Sequence, residues 1–239
     1  MLYISKTSKE VLDAAAEYFV KTAKEAISKQ GRFTVALSGG SSPKGLFELL
    51  VSEFDTKVEW NKVYFFFGDE RYVPSDHPDS NALMAKKALF DPLHISAHQI
   101  FAIDTSLEPK ASAQAFQKAI EKHFTPEPIR FDLILLGLGD DAHTASLFPH
   151  TPVVNETKVG VKEIFVEDKQ VYRITFTAPL INQAHHIAFL VFGGSKAEAV
   201  QHVFEGEKDF DQYPAQLIQP VNGDVAWFMD EAAASLLKL

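Results

Sequence analysis

One stretch of the chain combines a histidine with two carboxylates and two glycines, directly after an apolar run. The mostly apolar residues 131–136 lead into Gly-Leu-Gly-Asp-Asp-Ala-His, which ends at His143. A histidine that follows a buried strand and lies two residues beyond a carboxylate has the arrangement of a general base with an orienting partner. We therefore predict that His143 and Asp141 are catalytic residues.

The remaining histidines have no comparable surroundings in the sequence, which contains nine in total. His185 and His186 are adjacent, and adjacent side chains of a strand point to opposite faces, so this pair is poor evidence for a metal site. The absence of cysteine removes thiol nucleophiles and thiolate ligands. We predict that the protein uses no metal and no cofactor.

Two glycine-rich loops have the composition of anion sites. Ser38-Gly39-Gly40-Ser41-Ser42 joins an apolar run to a second helical segment, and Gly-Gly-Ser-Lys ends at Lys196. Glycines let a backbone approach a ligand, and the free amides of a helix amino terminus favour an anion. Neither loop is a Walker or dinucleotide motif, and each alone is also compatible with a structural turn. We predict that Gly39, Gly40, Ser41 and Lys196 bind a phosphate and that Ser38 contacts the substrate.

A third polar cluster, Asp69-Glu70-Arg71, follows three consecutive phenylalanines. The planar guanidinium of Arg71 suits a phosphate or a carboxylate, and the two acids would orient it or contact substrate. The alternative is an internal ion pair at the end of a strand. We assign Arg71 to the catalytic group and Asp69 and Glu70 to substrate binding.

Helical and strand patterns alternate along the chain. A capping box at Thr7 and Glu10 starts a helix that ends near Gly31, and an Ala-rich helix is expected at the carboxyl end. Further helices are expected after Pro43, over 80–90, over 110–123 and after Lys196. Buried strands are expected over 33–37, 63–67, 131–136, 187–192 and 225–229, and a half-exposed or edge strand over 171–177. Residues 150–170 and 204–220 are expected to be irregular or inserted.

This alternation, with several continuously apolar strands, predicts an α/β fold whose mostly parallel sheet is covered by helices on both faces. The polar segments near 38–42, 68–74, 137–144 and 193–196 each follow an apolar strand. Ligands of open α/β sheets bind at the carboxyl ends of the strands. We therefore expect these four segments to converge on one site.

Composition narrows the class of protein further. The chain has 239 residues and a formal net charge of −9, which fits one domain over 1–239 and disfavours nucleic-acid binding. No apolar stretch approaches the length of a membrane span, and the amino terminus does not resemble a signal peptide. We expect a cytoplasmic protein that binds neither nucleic acid nor membrane.

Taken together, the motifs resemble those of the 6-phosphogluconolactonase family, the lactone hydrolases of the oxidative pentose phosphate pathway. The resemblance covers nearly the whole chain. It is carried by Ser-Gly-Gly-Ser-Ser-Pro at 38–43, Gly-Asp-Glu-Arg-Tyr-Val-Pro at 68–74, Ser-Asn at 80–81, the segment 136–149, Arg-Ile-Thr-Phe-Thr at 173–177, Gly-Ser-Lys at 194–196 and Tyr-Pro-Ala at 213–215.

The resemblance implies a three-layer, Rossmann-like fold shared with glucosamine-6-phosphate deaminases, and hydrolysis of 6-phospho-D-glucono-1,5-lactone. His143 would activate water, Asp141 would orient it or bind substrate hydroxyls, and Arg71 would hold phosphate or the oxyanion. We expect a monomer or small homo-oligomer. The family pattern Gly-Pro-Asp-Gly-His reads Gly-Asp-Asp-Ala-His here, so a positive φ at Ala142 would be strained.

Two alternatives belong to other functional classes. Glucosamine-6-phosphate deaminases typically have Asp-Glu-Tyr where this chain has Asp-Glu-Arg, and a carboxylate before the proline where this chain has Phe148. Loss of that acid favours the lactonase. A non-catalytic sugar-phosphate sensor would usually lose the histidine or its acidic neighbour, and this chain keeps both His143 and Asp141.

Overall fold

The computed structural model describes residues 1–238, which form nine strands and six α-helices within that range. The strands are β1 (Leu2–Ser5), β2 (Phe33–Leu37), β3 (Val63–Phe67), β4 (Asp69–Arg71), β5 (Leu133–Gly137), β6 (Val161–Val166), β7 (Val171–Phe176), β8 (His186–Val191) and β9 (Asp224–Asp230). The helices are α1 (Ser8–Gln30), α2 (Ser41–Glu53), α3 (Asn81–Ala85), α4 (Pro109–Phe124), α5 (Ala178–Ile181) and α6 (Ala197–Glu205).

The main sheet has six strands in the order β1-β9-β8-β5-β2-β3, and every neighbouring pair is parallel. Its central strands are buried along almost their whole length, as their unbroken apolar runs predict. Helices flank the sheet, so the predicted α/β class with a mostly parallel sheet is confirmed. None of the described helices is long and apolar enough to cross a membrane.

Helix α1 has the predicted start and end. The Thr7 side chain accepts from the amide of Glu10 while the Glu10 carboxylate accepts from the amide of Thr7, which completes the capping box. Gly31 ends the helix with φ 79°, a left-handed conformation that glycine adopts without steric cost. The buried stripe of α1 then packs the helix against β1, β2 and β9.

A second sheet, antiparallel and three-stranded in the order β4-β7-β6, changes two expectations. Strand β7 is the central strand, not an edge, because β4 and β6 pair with its two sides. Strand β6 lies inside 150–170, which we expected to be irregular. Its sequence mixes charged and apolar residues, and only pairing with β7 makes its strand character evident.

The carboxyl-terminal helix is a wrong prediction. After β9, residues 231–236 form successive turns instead of a helix. The amide of Ala233 donates to the Asp230 carboxylate at 2.8 Å, and the amide of Ala234 donates to the Asp230 carbonyl at 3.1 Å. Asp230 therefore closes the first of these turns.

Candidate active site

A cavity of about 400 Å³ lies at the carboxyl ends of β2, β3, β5 and β8. All four polar segments contribute to its wall, so the expected convergence occurs. The sequence-predicted residues that line it are Ser38, Gly39, Gly40, Ser41, Asp69, Arg71, His143 and Lys196. Asp141 and Glu70 are not among the lining residues, although Asp141 contacts His143 directly.

The loop after β2 presents backbone amides to the cavity. Helix α2 starts at Ser41, directly after Gly40 with φ 103°, and no side chain caps it. The first amides of an uncapped helix have no partner within the helix and attract anions. Gly39 must lack a side chain, because a Cβ atom there would lie 1.8 Å from the Asn81 amide oxygen.

The loop after β5 pairs His143 with Asp141. The Nδ1 atom of His143 lies 2.5 Å from Oδ1 of Asp141, and the His143 amide donates to the same oxygen at 3.1 Å. Burial alone would raise the pKa of Asp141, but the hydrogen bonds and charge of His143 outweigh it and lower the pKa to about 2. The ionised carboxylate only accepts, so Nδ1 carries the proton and Nε2 is left as a base.

His143 is also packed in place. Its ring stacks on Phe148 with centroids 4.2 Å apart and an interplanar angle of 29°. On another side, a Cβ atom at Gly139 would lie 2.0 Å from Nδ1 of His143. The glycine therefore leaves the space that the imidazole occupies, and Phe148 supports one face of it.

The His143 loop is strained and strongly tethered. Ala142 is buried with φ 60°, and Ala145 has φ 47°. Ala142 therefore adopts the positive φ that is strained for an alanine. The amide of Gly139 donates to the His143 carbonyl at 2.8 Å, and the amide of Ala215 donates to the Ala142 carbonyl at 2.9 Å. Such tethers hold a backbone conformation that would otherwise relax.

Two arginines meet at the cavity. Arg71 of β4 and Arg173 of β7 are directly paired residues of the antiparallel ladder, and both line the cavity. Arg71 donates through Nη1 to the Asp79 carbonyl at 2.9 Å. Burial, followed by the charge of Arg71, lowers the pKa of Arg173, and its buried Nε has no partner. Two arginine side chains beside one cavity are suited to binding an anion.

The sequence analysis missed Arg173 as a site residue. It is the only cation of the run Val-Tyr-Arg-Ile-Thr-Phe, and that isolation was a weak signal. The signal was hard to use because residues 171–177 were expected only as an edge or half-exposed strand, with nothing in the local sequence to place them beside the loops of the main sheet. Its pairing with β4 brings it beside Arg71.

The two acids before Arg71 hold the site together. Glu70 is buried, and its carboxylate accepts from the amides of Arg71, Asn81 and Ala82 and from the Ser80 hydroxyl. Burial raises its pKa, although the three amides oppose the shift. Glu70 therefore anchors the start of α3. Because its oxygens already have these partners and its side chain is not part of the cavity wall, the structure does not support the expected contact with substrate.

Asp69 keeps a place in the cavity wall. One of its oxygens accepts from the Ser146 hydroxyl at 2.6 Å, and its carbonyl accepts from the Asn81 amide group at 3.0 Å. It therefore ties the loop after β3 to the loop that carries His143.

Lys196 lines the cavity with a counter-ion already in place. Its Nζ lies 2.5 Å from Oδ1 of Asp140. A lysine near the start of α6 is disfavoured by the helix dipole, and a bound phosphate, as predicted for Lys196, would offset this. In the structure Asp140 does so, which the sequence pattern did not indicate.

A larger cleft of about 920 Å³ adjoins the site and shares Phe148 and Lys169 with it, and Asp141 lines the larger cleft only. Its floor includes the outer strand β6, and it has none of the glycine-rich loops or arginines. We place the chemistry in the smaller cavity for that reason. Among the described residues no group of three or more histidine or acidic side chains could hold a metal ion.

The family model described as glucosamine-6-phosphate isomerases/6-phosphogluconolactonase matches residues 6–227. The chain belongs to this family. It is similar to the 6-phosphogluconolactonase of Synechocystis sp., with 45% identity over 219 residues that cover 90% of this chain and 88% of the relative. It is 37% identical to that of Haemophilus influenzae over 241 residues, which cover 99% and 100%.

Solved structures agree with this membership. The 6-phosphogluconolactonase of Trypanosoma cruzi has a TM-score of 0.89 at 27% identity and is covered to 97%, with all of this chain aligned. A monomeric glucosamine-6-phosphate deaminase has a TM-score of 0.84 at 21% identity, which shows a shared fold only. The resemblance inferred from the sequence motifs is confirmed.

Proposed function

We propose that this protein hydrolyses 6-phospho-D-glucono-1,5-lactone to 6-phospho-D-gluconate. The observation that carries the proposal is the His143–Asp141 pair beside a cavity lined by helix amides, two arginines and a lysine. Relatives at up to 45% identity bear the name 6-phosphogluconolactonase. A phosphorylated lactone needs both a base and an anion site, and this cavity contains the groups for each.

The phosphate of the substrate lies, in this proposal, against the amides of Gly39, Gly40 and Ser41, with Lys196 supplying charge. Arg173 is a further candidate ligand because it lines the same cavity and is paired with Arg71 across the β4–β7 ladder. A charge-assisted hydrogen bond is worth roughly 1.5–3 kcal/mol. Binding the phosphate at this end holds the lactone carbon near His143.

His143 acts as the general base in the first step. Its Nε2 takes a proton from water while the water oxygen bonds to the lactone carbonyl carbon, and the carbonyl electron pair moves onto the oxygen. Arg71 stabilises the resulting oxyanion or shares the phosphate. Preorganised donors stabilise such an oxyanion without reorganising during the reaction.

Collapse of the tetrahedral intermediate completes the reaction. The bond between the carbonyl carbon and the ring oxygen breaks, and the imidazolium of His143 returns its proton to that oxygen. The products are a hydroxyl group and a carboxylic acid, which ionises. Asp141 keeps the proton of His143 on Nδ1 and stabilises the imidazolium, while Ser38 and Asp69 are placed to contact sugar hydroxyls.

The test is hydrolysis of freshly prepared 6-phosphogluconolactone by the purified protein, measured as acid release above the spontaneous rate. We expect rapid turnover of this lactone and much slower turnover of glucono-1,5-lactone, which lacks the phosphate. A parallel assay follows ammonia release from glucosamine 6-phosphate. Ammonia release without lactone turnover would assign the protein to the deaminases, and binding of 6-phosphogluconate without either reaction would indicate a sensor.

A further inference from the structure

The lysine assigned to phosphate binding is held by a carboxylate from the catalytic loop. Asp140, next to Asp141, approaches Nζ of Lys196 to 2.5 Å, and the Ser195 hydroxyl lies 3.5 Å from the same oxygen. The Asp140 side chain is 67% exposed and outside the cavity wall, whereas that of Lys196 is 25% exposed and within it. The ion pair therefore joins the loop after β5 to the loop after β8 at the border of the cavity.

The contact with Asp140 weakens the attraction between Lys196 and any anion that binds it. An ammonium group is a compact charge with three donor directions, and Asp140 occupies one of them and offsets the charge. A phosphate that reaches Lys196 meets a competing carboxylate at close range. The contact thus opposes anion binding, in contrast to the amides and arginines on the other walls.

We propose that Asp140 is a positioning counter-ion that competes with the phosphate of substrate and product for Lys196, and so limits how tightly the product is retained. This inference rests on the proposed function. Hydrolysis converts a neutral ester into a carboxylate, so the product carries one more negative charge than the lactone. A cavity with several cations retains such a product strongly, and Asp140 weakens that retention.

The expected size of the effect follows from the exposure of the pair. Exposed ion pairs contribute little, so their loss corresponds to a change of roughly two- to fivefold in an equilibrium constant. The contribution also decreases as ionic strength rises. A two- to fivefold change is readily measured in a dissociation constant.

The experiment compares wild type with Asp140→Asn by calorimetric titration with 6-phosphogluconate at low and high salt. We expect the variant to bind about two- to fivefold more tightly at low salt, with a smaller difference at high salt. KM for the lactone should fall by a similar factor, without a fall in kcat. Asp91→Asn is the matched control, since Asp91 pairs with Lys86 at the same 2.5 Å on the surface, and it should leave the dissociation constant unchanged.

The Lys196→Met background separates competition from general repulsion. There the effect of Asp140→Asn should shrink, because no ammonium remains to compete for. An unchanged dissociation constant in Asp140→Asn would overturn the inference. So would a fall in kcat at constant KM, which would show that Asp140 only shapes the His143 loop; thermal unfolding checks that each variant is folded.

A second probe, inorganic phosphate, separates failure of this inference from failure of the proposed function. If wild type does not turn over the lactone but Asp140→Asn still binds inorganic phosphate more tightly, the competition stands and the proposed reaction is wrong. If wild type turns over the lactone but Asp140→Asn changes neither affinity, the reaction stands and the competition is wrong.

Discussion

Two histidine–aspartate pairs lie at opposite ends of the main sheet and differ little in their own geometry. His143 and Asp141 are 2.5 Å apart with side-chain exposures of 28% and 48%, and His186 and Asp224 are 2.9 Å apart with exposures of 30% and 40%. In each pair Nδ1 contacts the carboxylate. Residue type, distance and burial alone therefore do not distinguish the two pairs.

Their surroundings separate them. His186 and Asp224 are directly paired first residues of β8 and β9, at the amino ends of the strands. The Tyr18 hydroxyl donates to Asp224 at 2.9 Å and lies 3.2 Å from Nδ1 of His186. Burial and the hydrogen bond to Asp224 raise the pKa of Tyr18. This pair ties α1 to the sheet.

The His143 pair is instead built on a loop at the carboxyl ends of the strands. Its neighbours across the cavity are helix amides and arginine side chains, and two residues of its loop have positive φ. Neither Tyr18, His186 and Asp224 nor their immediate neighbours in the sequence have a positive φ. Under the proposed function, the feature that distinguishes the catalytic pair from the structural one is the anion site that faces the imidazole, and not the acid beside it.

The largest expected effect comes from removing the two histidines separately. His143→Ala should lower kcat for lactone hydrolysis by roughly 10²–10⁴, the usual contribution of a positioned base. His186→Ala should leave kcat nearly unchanged and lower the melting temperature slightly, because it removes one of the polar contacts between α1 and the sheet. Initial rates on fresh lactone and thermal unfolding measure the two effects.

A near-normal rate of lactone hydrolysis in His143→Ala would show that the His143–Asp141 pair is no more catalytic than the His186–Asp224 pair. A rate loss in His186→Ala at a temperature where the variant is fully folded would have the same result.

The next effect concerns the anion site that only one pair faces. Arg173→Gln should raise KM for the lactone by roughly 10–100-fold, as expected for loss of a charge-assisted hydrogen bond of about 1.5–3 kcal/mol. Lys29→Gln is the matched control, because Lys29 lines the small cleft beside His186, and its KM should equal that of wild type. An unchanged KM in Arg173→Gln would show that Arg173 does not bind the phosphate, which would then contact only Lys196 and the loop after β2.

A smaller effect is a difference in acid stability. The pKa of Asp141 is lowered to about 2 from 3.8, so its contact with His143 stabilises the fold above pH 4 and is lost as the pH falls towards 2. Since the carboxylate is half exposed, His143→Gln should cost only about 1 kcal/mol in the free energy of unfolding at neutral pH.

Between pH 4 and 2 the free energy of unfolding should fall less steeply in His143→Gln than in wild type. Denaturant unfolding at a series of pH values measures both slopes, and equal slopes in wild type and His143→Gln would contradict the assignment.

Much of this arrangement was predictable from local sequence. The apolar runs of β2, β3, β5 and β8 identify a parallel sheet, and the polar segments after them mark its carboxyl edge. What could not be predicted depends on pairing between distant segments. Strand β6 becomes regular only beside β7, and Arg173 reaches the cavity only because β7 pairs with β4.

Side-chain partners within the site were harder still to predict. From the sequence we expected Glu70 to contact substrate. In the structure its carboxylate oxygens accept hydrogen bonds from four donors, which are the amides of Arg71, Asn81 and Ala82 and the Ser80 hydroxyl. Asp140 and Lys196 are far apart in sequence, and no local pattern indicates that they pair. The sequence indicated that a positive φ at Ala142 would be strained but did not show whether the residue adopts one. The structure shows that it does, with φ 60°.

The smallest effect tests that strain directly. Ala142→Gly should raise the free energy of unfolding by about 0.5–1 kcal/mol, because glycine adopts positive φ without the steric cost that alanine bears. Ala184→Gly is the control: Ala184 is equally buried but has no positive φ and lies next to the other pair, so it should destabilise. kcat should change little in Ala142→Gly, because the tethers from Gly139 and Ala215 still hold the loop. If Ala142→Gly is less stable than wild type, the strain at this position is smaller than the entropy that glycine adds to the unfolded chain, and the two ends of the sheet would not differ in stored strain.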